Sequence, residues 1–189
     1  GTPASLTVPA TNGTGSYAVT WEAASGTVSR YELQEATASD FSNAAQTYNG
    51  TALSWPATNK ANGTYYYRVR ACNGTACSAY QSGTNGVVVM IVAPGMPASL
   101  TVPATSDTGS YALTWGAASG AVTRYELQEA ADSGFTVPTI VYSGTNLSAS
   151  ITDKGNGPYH SRVRACNTGG CSSYNPGANG VVVTIPPPS

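Results

Sequence analysis

The sequence has little charge, a single histidine and no long apolar run. Only 9% of its 189 residues are charged, with eight Lys and Arg against nine Asp and Glu. Soluble domains usually carry about 25% charged residues, so Thr, Ser, Asn and Gly must cover much of this surface. No basic run favours a phosphate backbone or an anionic membrane face, and no apolar run approaches the ~20 residues that span a bilayer. We therefore expect no nucleic-acid partner and no membrane span.

Groups that carry out catalysis are equally scarce. His160 is the only histidine, and its counterpart in the repeat described below is a tyrosine. The stretch "GAASG" (Gly116–Gly120) places its serine wrongly for a nucleophile elbow. Glu32 and Glu35 stand three residues apart, and on a strand they point to opposite faces. The sequence therefore predicts no enzyme, no cofactor and no metal site.

The sequence contains two copies of one repeat unit. The segment "PASLTVPAT" at Pro3 recurs at Pro97, "RYELQEA" at Arg30 recurs at Arg124, and every offset is 94 residues. A period of this length suits an autonomous domain rather than a solenoid repeat. We expect two domains, residues 1–93 and 94–189. The Gly- and Pro-containing ends are interpreted as cuts within a longer polypeptide.

The residue pattern of each copy predicts an all-β fold. In the first copy, β-branched and aromatic runs alternate with a period of two, as half-buried strands do, and Asn-Gly and Ser-Gly pairs separate them. The runs are "SLTV", "YAVTW", "RYEL", "TALSWPA", "YYYRVRA" and "GVVVMI". About seven short strands in each copy predict a two-sheet sandwich.

At this point each copy resembles a fibronectin type III domain over almost its whole length. The pattern is Pro3 before the first strand, Trp21 on the second, Tyr31 on the third, and "GTYYYRVRACN" (Gly63–Asn73) as the sixth. The resemblance implies two tandem seven-stranded immunoglobulin-like β-sandwiches, with Tyr65 folding back over the corner between the fifth and sixth strands. We expect structural roles for Trp21, Tyr31, Tyr65 and Val69, and for their partners Trp115, Tyr125, Tyr159 and Val163.

The four cysteines allow three pairings. In the sandwich that the resemblance implies, Cys72 ends the sixth strand, Cys77 starts the seventh, and Asn73–Ala76 form a hairpin loop. A disulfide within each copy, Cys72–Cys77 and Cys166–Cys171, is the simplest solution. The Cys-x4-Cys pair resembles the bacterial branch of the family. A metal site is disfavoured because no histidine lies near, and a redox role because the spacing is not Cys-x-x-Cys.

Arg68 and Arg70 alternate with Val69 and should face away from the core. We expect them to form a cross-strand ladder with Glu32 and Gln34 on an exposed sheet face, each pair contributing a few tenths of a kcal/mol. The alternative is a binding platform, since Tyr66 shares that face with Arg68. Two further residues enter the binding hypothesis: Trp55, as a sugar-stacking ring, and Asn73, in the hairpin loop.

Three inward-facing positions differ strongly between the copies. Trp55 becomes Ala149 while Ala57 becomes Ile151, which exchanges volume within one strand. Tyr67 becomes Ser161, with no visible compensation. The second copy is therefore expected to be the less stable one.

The sequence predicts a non-catalytic spacer or presentation module of a larger bacterial secreted or cell-surface protein. Its partners would be the flanking domains of that polypeptide. The alternative is an adhesive module that binds a polysaccharide or a cell-surface protein through the hairpin loops or the exposed sheet face.

Overall fold

The computed structural model describes residues 1–188. The chain divides into two compact units, Gly1–Ile91 and Val92–Ser189, so the division lies two residues before the boundary expected from the sequence. Within residues 1–188 we find no helix with the length and apolarity that crossing a membrane requires.

The first unit consists of ten short strands. They are β1 (Leu6–Thr7), β2 (Thr11–Asn12), β3 (Tyr17–Trp21), β4 (Arg30–Ala36), β5 (Ala45–Gly50), β6 (Ser54–Ala57), β7 (Gly63–Asn73), β8 (Ala76–Cys77), β9 (Gln81–Ser82) and β10 (Val87–Val89).

The second unit repeats every one of these strands 94 residues later. They are β11 (Leu100–Thr101), β12 (Thr105–Ser106), β13 (Tyr111–Trp115), β14 (Arg124–Ala130), β15 (Thr139–Gly144), β16 (Ser148–Ile151), β17 (Gly157–Asn167), β18 (Gly170–Cys171), β19 (Asn175–Pro176) and β20 (Val181–Val183).

Two sheets build each unit. In the first unit the smaller sheet has the order β1-β3-β6, and the larger has the order β2-β10-β7-β4-β5 with β8 and β9 also paired to β7. All these pairings are antiparallel except that of β2 with β10, which is parallel. If β1 with β2, and β8 with β9 and β10, are counted as interrupted single strands, each unit has seven. The predicted pair of seven-stranded sandwiches is confirmed.

The core lies between the two sheets and is built from the inward positions of each strand. Trp21 and Tyr31 are about 5% exposed and Val69 is fully buried, and Trp115, Tyr125 and Val163 show the same burial in the second unit. Tyr65 and Tyr159 are half-buried against their cores. Each tyrosine donates its hydroxyl to a backbone carbonyl four residues upstream, Ala61 and Gly155 respectively, at 3.1 Å.

Two details of the predicted strands were wrong. The strands flanking the cysteine hairpin extend through Asn73 and from Ala76, so the turn is only Gly74–Thr75 rather than a four-residue loop. β5 was missed altogether: "AQTYNG" has one large apolar residue, Tyr48, and its Asn-Gly pair lies within the strand end.

Candidate functional site

The outward face of β4 and β7 carries the charged residues singled out from the sequence. Register places Glu32 opposite Arg70 and Gln34 opposite Arg68. Arg70 donates through Nε and Nη2 to Oε2 of Glu32 at 2.9 and 2.7 Å. Arg30 donates through Nε to the other carboxylate oxygen at 2.9 Å, and Arg68 Nε donates to the Gln34 side-chain oxygen at 2.8 Å. The pairing therefore satisfies both oxygens of Glu32.

Two aromatic rings from loops cover this ladder. The Arg68 guanidinium lies 4.6 Å from the centroid of Phe41 and 4.4 Å from that of Tyr80, and Arg70 lies 4.8 Å from Tyr80. In the second unit Arg162 lies 4.3 Å from both Phe135 and Tyr174, and Arg164 lies 4.7 Å from Tyr174. Arg68 and Arg162 thus each stack on two of the protein's own rings, and Arg70 and Arg164 each on one.

The expectation of an exposed ladder was wrong at its centre. Glu32 is only 5% exposed and Glu126 only 7%. Hydrogen bonds from Arg70 and then Arg30 lower the pKa of the Glu32 carboxyl below its usual value. Burial raises the pKa of Glu126, but the hydrogen bonds from Arg164 and Arg124 outweigh it and the net pKa is lowered. A carboxylate held in this way contributes more than the few tenths of a kcal/mol of an exposed pair.

The loop that presents Phe41 holds that residue in the left-handed region, with φ 59°, and Phe135 has φ 52°. Such a conformation is uncommon for a bulky residue and costs of order 1–3 kcal/mol unless its surroundings hold it. Here the ring contacts Arg68, and the Asn43 side chain accepts hydrogen bonds from the backbone N–H groups of Thr37 and Ala38 at 3.2 Å. The strained loop therefore positions one aromatic cover of the ladder.

Both predicted disulfides are present, which confirms the local pairing of the cysteines. Cys72 faces Cys77 and Cys166 faces Cys171, each with a Cα separation of 4.0 Å. The two sulfurs of each pair and a carboxylate oxygen of Glu32 or Glu126 lie within 4.8 Å of one another. Because the sulfurs are bonded to each other, they are not the thiolates that bind metal ions.

A groove of 430 Å³ lies beside the first hairpin and contains Asn73 on its wall. Its lining comprises Gly1 and Thr2 at the start of the chain, Thr27 and Val28, and the hairpin residues 71–73 and 76–79. Arg30 supports the hairpin by donating to the carbonyl of Gly74 at 2.6 Å. Asn73 itself is exposed.

A second depression, of 330 Å³, lies against the earlier part of β7, at Tyr66 and Tyr67. It is lined by the rings of Phe41 and Tyr66 together with neutral polar residues, among them Ser82, Thr84 and Asn85. The second unit carries His160, Pro176 and Ala178 in place of Tyr66, Ser82 and Thr84. This set of residues is thus particular to the first unit.

Sequence reasoning missed a polar network inside the sandwich. In the first unit Glu35 forms an ion pair with Lys60 at 2.6 Å and accepts a hydrogen bond from the Tyr67 hydroxyl at 2.6 Å. The Tyr67 and Tyr17 hydroxyls lie 2.8 Å apart. The signal available in the sequence was the tyrosines at inward positions, since a buried hydroxyl needs a partner.

Trp55 belongs to this interior region and does not form an exposed stacking platform. It is half-buried against the core, its ring centroid lies 6.3 Å from that of Tyr67, and Lys60 lies 5.6 Å from its ring. Its sugar-stacking role, predicted on the assumption of an exposed ring, has no support in this geometry.

In the second unit Tyr111 replaces the hydrogen bond that Tyr67 makes to the carboxylate, so the expectation that Ser161 is uncompensated was wrong for this bond, but the ring contacts of Tyr67 are not replaced. Tyr111 donates its hydroxyl directly to Glu129 at 2.6 Å and is buried, and Glu129 also pairs with Lys154. Among the described residues, however, the buried Ser161 hydroxyl finds no hydrogen-bond partner. The carboxylate of this network is satisfied, whereas the Ser161 hydroxyl is not.

Similar chains are found among solved structures alone. No known family profile matches the chain, and no curated protein matches it. The chicken CNTN1 FN1–FN3 domains align over 96% of this chain at 14% identity and TM-score 0.45, and this chain covers 66% of that structure. The two fibronectin type III domain segment from chicken tenascin aligns over 94% of this chain and 98% of its own length, at 15% identity and TM-score 0.41.

A third solved structure, FN3tt, aligns over 49% of this chain and 98% of its own length at 21% identity and TM-score 0.41. The chain's structural neighbours are fibronectin type III domains. Each unit is an all-β sandwich of two sheets, as the sequence predicted.

Proposed function

We propose that the chain is a non-catalytic spacer that holds flanking domains of a larger bacterial secreted or cell-surface protein apart. The observation that carries the proposal is the parallel pairing of β2 with β10, with Thr11 opposite Val88 and Asn12 opposite Val89. The interrupted first strand, β1 with β2, and the last strand, β10, therefore run in the same direction where they pair. Because these two strands are parallel, the polypeptide enters the sandwich at one end and leaves it at the other.

The long strand β7 gives the scale of that separation. The groove places Gly1 and Thr2 beside Cys72 and Cys77, near the end of β7. Register places Val89 opposite Gly63, at its beginning. The eleven residues of β7 extend over roughly 33 Å at about 3.3 Å per residue. Each unit thus lengthens a polypeptide by roughly this amount.

The cysteines support an extracellular location. All four are joined in the two disulfides, which form and persist in oxidising compartments and are rare in the cytosol. The proposed location is therefore outside the cell or on its surface, with the flanking domains as partners.

A distance measurement tests the spacer proposal directly. Spin labels at Thr2 and Met90, both exposed, should give one narrow distance distribution in the first unit, at roughly 30–40 Å. A distribution centred below roughly 20 Å would place the two ends together and contradict the proposal. Pull-down with insoluble polysaccharides should retain no protein, and incubation with chromogenic ester or glycoside substrates should release no product.

A second candidate function is binding of a neutral saccharide by the first unit. The depression with Phe41 and Tyr66 favours it, because aromatic rings among hydroxyl and amide groups match the apolar faces and hydroxyls of a sugar. Glycan-array binding that Tyr66→His abolishes would establish this function. His160→Tyr in the second unit is the matched control and should leave any such binding unchanged. Uniform silence of the array leaves only the spacer proposal.

A further inference from the structure

In the second unit, the residues that lead into its first strand pack against the cysteine hairpin. The Asn167 side chain donates to the carbonyl of Val92 at 2.7 Å and to that of Ala121 at 3.0 Å. Its own oxygen accepts a hydrogen bond from the Gly169 N–H at 2.8 Å. Asn167 is consequently only 8% exposed. An asparagine so fully bonded fixes the path of the chain that enters this unit.

In the first unit, the corresponding surface of the cysteine hairpin is exposed to solvent. Asn73 corresponds to Asn167 and is exposed, and it lines the 430 Å³ groove with Thr27, the counterpart of Ala121. A Cβ added at Gly170 would lie 3.6 Å from the Cβ of Ala93, an ordinary contact. Gly170 has φ 141°, which Ala76, its replacement in the first unit, does not share, so the place of Ala76 is taken from its position on the groove wall.

The direction of the backbone at the groove is also the same in both units. The amine of Gly1 donates to the carbonyl of Ser25 at 2.7 Å, as the amide of Gly95 donates to that of Ser119 at 2.9 Å. Val92 precedes Gly95 by three residues. A residue joined three positions before Gly1 would therefore arrive beside Asn73.

We propose that the groove formed by Gly1, Thr27, Asn73 and Ala76 is a docking site for the polypeptide segment that leads into the first unit. The occupant is an extended apolar tripeptide of the Val92–Pro94 kind, whose first carbonyl accepts a hydrogen bond from Asn73 Nδ2. The inference rests on the proposed function in one respect, because a flanking domain in front of Gly1 supplies this segment. It adds that the upstream connection is fixed on the hairpin rather than swinging freely.

The disulfide has a defined role in this proposal. Cys72 and Cys77 pair the two strands on either side of the turn, and Asn73 directly follows the first cysteine. The disulfide therefore fixes the backbone from which Asn73 would reach the entering segment. The same holds for Cys166 and Asn167, where the contact is present.

The experiment adds Val-Ala-Pro in front of Gly1 of the full chain, and Gly-Ser-Gly in a matched chain of equal length. Amide cross-peaks of Leu33 and Val69 report denaturant unfolding of the first unit, and those of Leu127 and Val163 report the second as an internal reference. We expect Val-Ala-Pro to raise the folded-to-unfolded ratio of the first unit about fivefold, the effect of one net hydrogen bond. Gly-Ser-Gly offers the same carbonyl but should give less than half of that gain, because its glycines lose more conformational freedom on docking and it lacks a counterpart of the buried Pro94.

Substitutions at the two asparagines separate a docking role from a merely structural one. Asn73→Ala should leave the unextended chain unchanged within about twofold and abolish the gain from Val-Ala-Pro. Asn167→Ala should lower the folded-to-unfolded ratio of the second unit about fivefold or more. Slower exchange of the Asn73 side-chain amide protons in the Val-Ala-Pro chain would show the hydrogen bond itself.

Three outcomes overturn the proposal. The first is an unchanged first unit in the Val-Ala-Pro chain, and the second is a gain that persists in Asn73→Ala. The third is a gain from Gly-Ser-Gly as large as that from Val-Ala-Pro, which would show that any added residues stabilise the first unit. None of these alters the end-to-end distance within the first unit, so the spacer proposal stands or falls separately.

Discussion

At the scale of single residues, position 67 and its counterpart 161 show how one substitution redirects a buried network. In the first unit the hydroxyl of Tyr67 lies between Tyr17 and Glu35. Serine at 161 is too short to reach the carboxylate, and Tyr111 bonds to Glu129 instead. The carboxylate and its lysine are thus common to both units, whereas the tyrosine that satisfies the carboxylate is not.

This difference predicts unequal costs for the same mutation. Tyr111→Phe removes a hydrogen bond to a buried carboxylate and should destabilise the second unit by about 1.5–3 kcal/mol. Tyr17→Phe removes a bond between two hydroxyls while Tyr67 still donates to Glu35, and should cost the first unit about 0.5–1.5 kcal/mol. Urea unfolding of each variant followed by NMR measures both. Equal costs would contradict the rerouted network.

Stability should fall in alkali because these tyrosines hold their protons tightly. Burial raises the pKa of Tyr17 to about 12. Burial and the hydrogen bonds to Glu35 and Glu129 raise the pKa of Tyr67 and of Tyr111. An unfolded tyrosine loses its proton near pH 10, so above that pH the unfolded state binds fewer protons and folding stability declines. Below pH 10 the contribution is complete and independent of pH.

Urea midpoints recorded from pH 8 to pH 12 check this expectation. Tyr67→Phe removes one of the groups that must stay protonated, and the decline of the first unit above pH 10 should be shallower in that variant. The second unit serves as the reference in the same samples. A midpoint that stays flat through pH 11 in the unsubstituted chain would contradict the assignment.

At the scale of elements, the pair of β4 and β7 is held by a planar ladder rather than by scattered charges. Phe41, Arg68, Tyr80 and Arg70 stack in turn, and Gln34 and Glu32 bind the guanidinium edges. Guanidinium groups suit this arrangement because they are flat and donate in a fixed plane. A lysine keeps the charge but has neither property.

Arg68→Lys should therefore destabilise the first unit by about 1–2 kcal/mol, through the loss of two stacking contacts and the bond to Gln34. Arg162→Lys, in the matching position between Phe135 and Tyr174, should cost the second unit about as much. Denaturant midpoints in 0.1 M and 1 M NaCl separate stacking from charge. An unchanged midpoint in Arg68→Lys, which keeps the charge, would show that charge alone accounts for the ladder.

Reducing the disulfides should weaken the hairpins without unfolding the sandwich. Closing so short a loop contributes about 2 kcal/mol by the chain-entropy estimate, and the sheet is also held by the pairing of β7 with β4 and β10. After reduction, the free energy of unfolding measured in urea should fall by about 2 kcal/mol. The far-ultraviolet circular dichroism spectrum should be retained. Loss of the β spectrum at neutral pH on reduction alone would contradict this.

The elements also show what the sequence reveals and what it does not. Runs with strict alternation, such as "YAVTW" and "YYYRVRA", give strands at the right places because one face must be buried. β5 lacks that alternation and was missed. Phe41 and Tyr80 are isolated aromatics in loops, and their meeting over Arg68 depends on a left-handed residue that no periodicity predicts. The ladder residues on β4 and β7 were found, but their burial was not.

At the scale of the whole molecule, the same strand boundaries appear in both units despite large changes inside. Trp55 becomes Ala149 and Ala57 becomes Ile151, yet β6 and β16 have the same length and pair with β3 and β13 in the same register. Cores tolerate such exchanges when volume and pattern are kept. The fold is thus specified by the alternation, and the stability of each unit by what fills it.

The side chains that fill the two cores predict that the second unit unfolds first. The first unit has ring contacts of Tyr67 with Tyr17 and Trp55, at centroid distances of 6.2 and 6.3 Å. With Ser161 and Ala149 in their places the second unit lacks both contacts and contains an unsatisfied hydroxyl. Ile151 and the deeper burial of Tyr111 offset part of this loss, and about 1–3 kcal/mol should remain.

Amide cross-peaks of the full chain in increasing urea measure the order, with Leu127 and Val163 expected to disappear before Leu33 and Val69. Ser161→Ala isolates one contribution, because it removes the unsatisfied hydroxyl and should stabilise the second unit by up to about 1 kcal/mol. Ala149→Trp combined with Ile151→Ala and Ser161→Tyr transfers the filling of the first unit and should bring the two midpoints together. An earlier loss of Leu33 and Val69 would show that the satisfied Tyr111–Glu129 pair outweighs the missing rings.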